Sequence, residues 1–291
     1  MILALGVSAC TGNSDSRADP VAQRAPEVPE TPEIVQKLRP DRPGGMVWQA
    51  DWSTTDNDPW VVWYDTGASH VIDPETGTLT VGGDTVRMYV RNPDKRTQWT
   101  GALEVTVYAR RLSAGDGENP PYSGIVTDVR TNHGTVRGSL EKNPCDSRGL
   151  SARLRFDGRS DFGKEISHPK TVSRHERRIW QGGMPIDVWI GYKQLVYDDE
   201  NKVVQELYVD FPGEGQKWVL VNRNVDRGGW GRDEKPCAQG INPTLQLFGG
   251  TERPGSETGL PNISVLFRVD GLDQNGGLEY RSASVREVDA P

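Results

Sequence analysis

From Met46 onward the chain repeats one pattern: short runs in which every second residue is apolar, each closed by Gly, Pro, Asn or Asp. Successive side chains of a strand point to opposite faces, so a period of two marks strands with one buried face. "ALEVTVYARR" sets Leu103, Val105, Val107 and Ala109 against Glu104, Thr106, Tyr108 and Arg110. "LSARLRFDGRSDFGKEISHP" reads as two strands around Asp157-Gly158, a dipeptide suited to hairpin turns. "VWIGYKQLVYDDENKVVQELYVDF" is a second hairpin turning at Asp198 to Asn201, and "VIDPETGTLTVGG" places a turn before a short strand. "NISVLFRVDG" and "EYRSASVREV" close the chain as two more strands. Past residue 45 no stretch shows helical periodicity. With 33 Gly and 20 Pro cutting the chain, and nine Trp and eight Tyr to fill a core, the expectation is all-β. An antiparallel β-sandwich of the jelly-roll kind over residues 46–291 fits that many short strands.

The first residues differ. "MILALGVSAC" ends its apolar run in Val7-Ser8-Ala9-Cys10, which resembles the lipobox of bacterial lipoproteins. That resemblance implies a signal over residues 1–10, lipidation of Cys10, and an exported protein anchored by lipid at the cell envelope or surface. A charged leader normally precedes such a run, so an earlier translation start is expected. Residues 11–45 are rich in Pro, charge and small side chains and read as a disordered tether. Two thiols remain, Cys145 and Cys237; in an exported chain an even pair points to a disulfide, with two separate thiols as the alternative. The net charge of −7 argues against a nucleic-acid partner.

Trp189 opening a strand, then "GYKQLVY", a turn and "VVQELYVDF", resembles the central hairpin of concanavalin A-like jelly-roll domains. That group includes laminin-G-like modules, lectins and several polysaccharide lyases. The closing strands "NISVLFRVDG" and "YRSASVREV" are similar to the final strand pair of such domains. The resemblance implies a carbohydrate-handling protein, expected as a monomer, with long glycan chains lying on the polar face of one sheet.

Alternation sorts the candidates. Ile190, Tyr192 and Val196 share an apolar face, leaving Trp189, Lys193 and Tyr197 opposite; Leu207 and Val209 likewise leave Glu206, Tyr208 and Asp210 together. Phe162, Lys164, Ile166 and His168 share one face, with Asp161, Glu165 and Ser167 on the other. Ile263, Val265, Phe267 and Val269 turn Arg268 and Asp270 outward. Such polar faces are either solvated and paired across strands or built to hold sugar.

The sharper expectation is a polysaccharide lyase. β-Elimination at a uronate needs a cation or amide to neutralise the carboxylate, a base for the C5 proton and an acid for the leaving oxygen. Jelly-roll alginate lyases resemble the set found here: Arg130, Asn132 and His133 in "DVRTNHG", Lys164 with His168, and Tyr192-Lys193 in "GYKQ". The Arg-x-Glu-Leu and Gln-Ile-His motifs of that family are absent. Tyr192 lies on the apolar face, which makes Tyr208 the better acid. The expected catalytic residues are therefore His133, His168, Tyr208 and Arg130, and Asn132, Lys164, Trp189, Lys193, Glu206 and Arg268 are expected to bind an anionic glycan. A non-catalytic carbohydrate-binding module is the alternative. Residues 148–178 hold nine Lys or Arg against four acids, which suits steering of such a glycan or a solvated loop, since "SRHERRIWQGG" shows no strand pattern.

Other chemistries find less. Glu206 and Asp210 stand four residues apart on one strand, about 13 Å, too far for a retaining glycosidase pair. No Gly-x-Ser-x-Gly elbow occurs, and His70, His133, His168 and His175 lack zinc spacing. No cofactor is expected, though Asp56, Asn57 and Asp58 could offer oxygens to a structural calcium.

Overall fold

The computed structural model of the chain describes residues 36–56, 58–91, 99–113, 123–131, 148–167, 170–211, 213, 217–235, 242–249, 264–270, 272 and 277–291. Cys10, Asn57, Asn132, His133, Cys145, His168 and Cys237 lie outside them.

Among the described residues the chain forms thirteen strands and no helix. They are β1 (Val47–Ala50), β2 (Val61–Asp73), β3 (Thr78–Val90), β4 (Ala102–Arg111), β5 (Gly124–Thr131), β6 (Gly149–Arg155) and β7 (Arg159–Ser167). β8 (Lys170–Arg178), β9 (Trp189–Asp199), β10 (Lys202–Asp210), β11 (Val219–Asp226), β12 (Ser264–Asp270) and β13 (Leu278–Val288) follow. All pairings between them are antiparallel, along the path β11-β10-β9-β4-β13-β3-β12-β5-β6-β7-β8, with β2 on β3 and β1 on β13.

The path folds into two layers at β3. Leu79–Val81 pair with β13 of the first layer, and Thr85–Val90 pair with β12 of the second. The apolar positions record the change: Leu79 and Val81 face the core before the break, and Val86, Met88 and Val90 after it, on the other parity. Gly83 makes the break feasible. It has φ +97, and a Cβ there would sit 2.5 Å from Ala68 Cα and the Gly67 carbonyl. Far from being short, β3 is thirteen residues long because it serves both layers. The result is the antiparallel sandwich of jelly-roll type expected from the alternation. β12 and β13 do form, but on either side of β3 rather than as neighbours.

Both expected hairpins are present. Asp199 pairs with Lys202 across Glu200 and Asn201, and Leu154 pairs with Ser160 around Asp157-Gly158. In the second hairpin Gly158 takes φ +84 and its N–H donates to the Arg155 carbonyl, closing a tight turn. The inner faces of β4, β9 and β10 carry the apolar residues that alternation assigns to them.

Three expectations are corrected. Residues 170–178 form a strand, β8, at the sheet edge, where a run of Lys and Arg discourages pairing with another chain. Lys164 shares a face with Phe162 as expected, but that face is the interior. Its ammonium crosses between layers to Asp226 on β11 at 3.1 Å, with both side chains 1% exposed, and donates to the Trp230 carbonyl at 3.2 Å. Burial holds the Lys164 pKa below its usual value against the pull of Asp226. The tether read over residues 11–45 gives way by Gln36. Leu38 and Arg39 donate their N–H groups to Glu104 at 3.2 and 3.3 Å, Lys193 reaches the Gln36 carbonyl at 2.7 Å, and Arg42 pairs with Glu287. These residues form a strap over the outer face of β4, β9 and β13. Beneath it Glu104 holds Lys193 at 2.6 Å and Arg286 at 2.7 Å, a buried triad.

Removing one partner of a buried pair strands the other charge. Lys164→Met is expected to cost about 3–5 kcal/mol in urea unfolding, and the double change with Asp226→Leu to recover more than half of that. Alkali tests the core. Burial, against the nearby Arg87, raises the phenol of Tyr89 to about 12, and burial also raises those of Tyr108, Tyr192 and Tyr280. A pKa raised in the folded state gives stability that is complete below the free phenol's value near 10 and lost as pH climbs through the folded one. Titration followed at ~295 nm should show these tyrosines ionising together with unfolding at about pH 12, after the exposed ones.

Candidate functional site

The described residues expected to line one groove do not share one: some lie on two outer sheet faces, and Arg130 and Lys164 are buried. Trp189, Lys193, Glu206 and Tyr208 lie on the outer face of β9 and β10. Trp189 is 7% exposed, with the guanidinium groups of Arg281 and Arg110 at 4.4 and 5.0 Å from its ring centre. Lys193 is fully buried beneath the strap, with Trp218 at 4.5 Å from its ammonium. Glu206 accepts from Tyr208 at 2.8 Å, Arg223 at 3.0 Å and Tyr197 at 3.3 Å. Burial first, and Glu206 second, raise the Tyr208 pKa.

Arg130 belongs to the second layer and is 2% exposed. It ties Asp198 at 2.5 Å, the Leu247 carbonyl at 2.8 Å and the Gly101 carbonyl at 3.0 Å, so it binds loops together instead of facing an opening. Arg268 lies on the outer face of that layer, paired with Asp270 and 3.9 Å from Asp128. Burial opposes its charge, but Asp128 and Asp270 outweigh this and raise its pKa. The solvated-face reading describes this surface. Arg153 pairs with Asp161, Arg155 with Glu176 at 2.9 Å, Arg159 with Glu176 at 2.9 Å, and Lys170 with Glu234 at 3.5 Å, which spends much of the basic window of residues 148–178.

A cleft opens elsewhere, where the first layer splits. Leu278–Tyr280 of β13 pair with β3, but Ala283–Arg286 pair with β1, so β3 leaves and β1 takes its place. The cleft lies between β1 and the β2–β3 ribbon, with a volume of about 370 Å³. Small-molecule sites typically measure roughly 300–1,000 Å³ and combine apolar walls with a few polar groups. Trp48 and Trp52 line it on the β1 side, and Trp63 and His70 on the β2 side. β2 changes parity at Gly67, so Val61 and Trp63 before it and Ala68 and Ile72 after it all meet the core. His70 shares the second parity. Its ring therefore lies on Trp63, centroids 3.8 Å apart and planes within 4°.

The loop 51–60 shapes the rim. Asp58 accepts the Trp48 indole N–H and the Trp60 backbone N–H, each at 2.8 Å, and its carbonyl accepts from Val61 N–H at 3.0 Å. Asp51 accepts the Ser53 N–H at 3.0 Å and hydroxyl at 2.8 Å, which lower its pKa. Trp52 has φ 50, an uncommon backbone for a bulky residue, and stacks on Tyr280 at 6.4 Å. Backbone held in sparsely populated regions concentrates at functional sites. Asp56, also on the rim, is exposed. Of the residues offered to calcium, Asp58 is thus committed to the Trp48 indole. No group of three or more His, Cys, Asp or Glu side chains able to hold a metal ion occurs among the described residues.

No protein-family model matches the chain, and no curated protein matches it. Among solved structures it is similar to the VIP36 exoplasmic/lumenal domain in its Ca2+/Man2-bound form, at 7% identity and TM-score 0.46, over 84% of this chain and 88% of that one. Arcelin-5, a lectin-like defense protein from Phaseolus vulgaris, gives 8% and 0.44 over 83% and 97%. A protein of unknown function with a galectin-like fold from Bacillus subtilis gives 11% and 0.46 over 84% and 96%. No residue of this chain takes a role from them.

Trp48, Trp52, Trp63 and His70 were not singled out by alternation. Their signal is density: four of the nine tryptophans fall within residues 48–63. Asp58→Ala removes a charged acceptor from two donors and is expected to cost about 1.5–3 kcal/mol in chemical denaturation. The Trp48 indole N–H resonance should shift in the same variant.

Proposed function

We propose that the chain is a non-catalytic carbohydrate-binding module, held at the cell envelope through a lipid on Cys10. The observation that carries this is the cleft of about 370 Å³ between Trp48 and Trp52 on one side and the Trp63–His70 stack on the other. Flat π faces cover the C–H faces of a sugar ring, and carboxylates at the rim accept from its hydroxyls. The cell-envelope placement rests on Val7-Ser8-Ala9-Cys10 and the Pro-rich segment after it. Elimination at a uronate would need a cation or amide beside the substrate carboxylate, and of the candidates Asn132 lies outside the described residues. Arg130, Lys164 and Lys193 are instead committed to Asp198, Asp226 and Glu104. A polysaccharide partner therefore stays in the reading, and turnover does not.

The test is an affinity gel over a panel of neutral, acidic and amino polysaccharides with the full chain, run beside absorbance at ~235 nm. Retention on at least one glycan with a flat trace is expected. Trp63→Leu, which keeps an apolar plug at the edge of the core, should weaken that binding about tenfold, the equivalent of ~1.4 kcal/mol. Rising absorbance would restore the lyase, and no retention anywhere would remove the proposal.

A further inference from the structure

We infer that the glycan bound by this cleft is cationic: a polysaccharide of amino sugars whose amines are free and protonated. This rests on the carbohydrate-binding reading and names its substrate class. Asp51, Asp56 and Asp58 line the cleft, and no Lys or Arg is among the described residues that do. Ser53 holds Asp51 ionised. Asp58 accepts the Trp48 indole N–H at the same rim, and Asp56 stands in solvent there.

Aromatic faces reinforce the same preference. An indole attracts a cation lying over its ring, and Trp52 and Trp63 are walls of the space that these carboxylates border. A uronate would meet like charge at the rim, with no Lys or Arg among the described residues that line the cleft. The basic window gives the anionic glycan less than its count suggests, because five of its nine cations, Arg153, Arg155, Arg159, Lys164 and Lys170, already have carboxylate partners. The net charge of −7 also favours approach of a polycation over a polyanion. An ammonium borne on a sugar ring satisfies both features at once, with the ring between the aromatic walls of the cleft and the charge at the carboxylates.

The experiment is calorimetric titration of the full chain at about pH 6, where such amines are protonated. The probes are tetramers of glucosamine, N-acetylglucosamine, glucose and galacturonate. The glucosamine tetramer is expected to bind at least about tenfold tighter than its N-acetylated form, and to lose most of that advantage at ~0.5 M salt, where exposed charges are screened. Asp56→Asn, at an exposed side chain, should narrow the preference about threefold or more without lowering the melting temperature. Trp63→Leu should weaken both tetramers, and the glucosamine tetramer the more, because the ring that attracts its ammonium is lost. Equal or tighter binding of the N-acetylated, neutral or acidic tetramer overturns the cationic ligand and leaves the carbohydrate reading standing. An unchanged preference in Asp56→Asn likewise overturns the assignment of charge to this rim. Binding of none of the four, together with no retention on the gel panel, removes both.

Discussion

The two-layer structure depends on β3 changing partners at Gly82-Gly83. A strand that stayed with β13 throughout would extend one sheet and leave its second apolar face wet. By crossing at the glycines, β3 delivers Leu79 and Val81 to the core from one layer and Val86, Met88 and Val90 from the other. The crossing vacates the edge of β13 that β1 then occupies, and the space left between β1 and the departing ribbon is the cleft. Fold and site thus have one geometric origin. A side chain at position 83 would collide with backbone, which ties the cleft to a residue outside its lining.

Buried charge closes the structure where β3 does not. Lys164 and Asp226 join the layers at the edge opposite the crossing, and Asn222 adds a bond to Ser160 at 2.9 Å nearby. Such pairs gain little net energy over well-packed apolar residues, because desolvation offsets their attraction. Their contribution is orientation: a misregistered β11 would leave Asp226 and Lys164 buried apart. Glu104, Lys193 and Arg286 do the same for the strap, since Glu104 meets two cations and two backbone N–H groups there.

Alternation made the inner faces of β4, β9 and β10 legible because each has one apolar and one polar side, and a period of two reports that difference directly. It could not report what covers the outer side. Lys193 and Trp189 fall on the polar face as read, yet the strap and two arginines cover them, and both covers come from distant sequence. Lys164 was misassigned for the converse reason. A charged side chain inside a core has the same spacing as one outside, and only the position of Asp226, 62 residues on, decides between them. Residues 170–178 hid their strand because an edge strand needs few apolar residues, and cations there guard the edge. The cleft was illegible since β2 shifts parity at Gly67, which places Trp63 and His70 on one side despite their odd spacing.

The strap also sets the order in which contacts would part if the chain were pulled from its N-terminal side. Tension arriving from the segment before Gln36 meets the bonds of Leu38 and Arg39 to Glu104, then Arg286 on Asp41 and Arg42 on Glu287, before it reaches β1. These contacts lie N-terminal to Trp48, so they yield in turn while the indole stays hydrogen-bonded to Asp58. A chain pulled from its front end would therefore lose its strap first and keep the shape of its cleft until the β1 ladder itself is sheared.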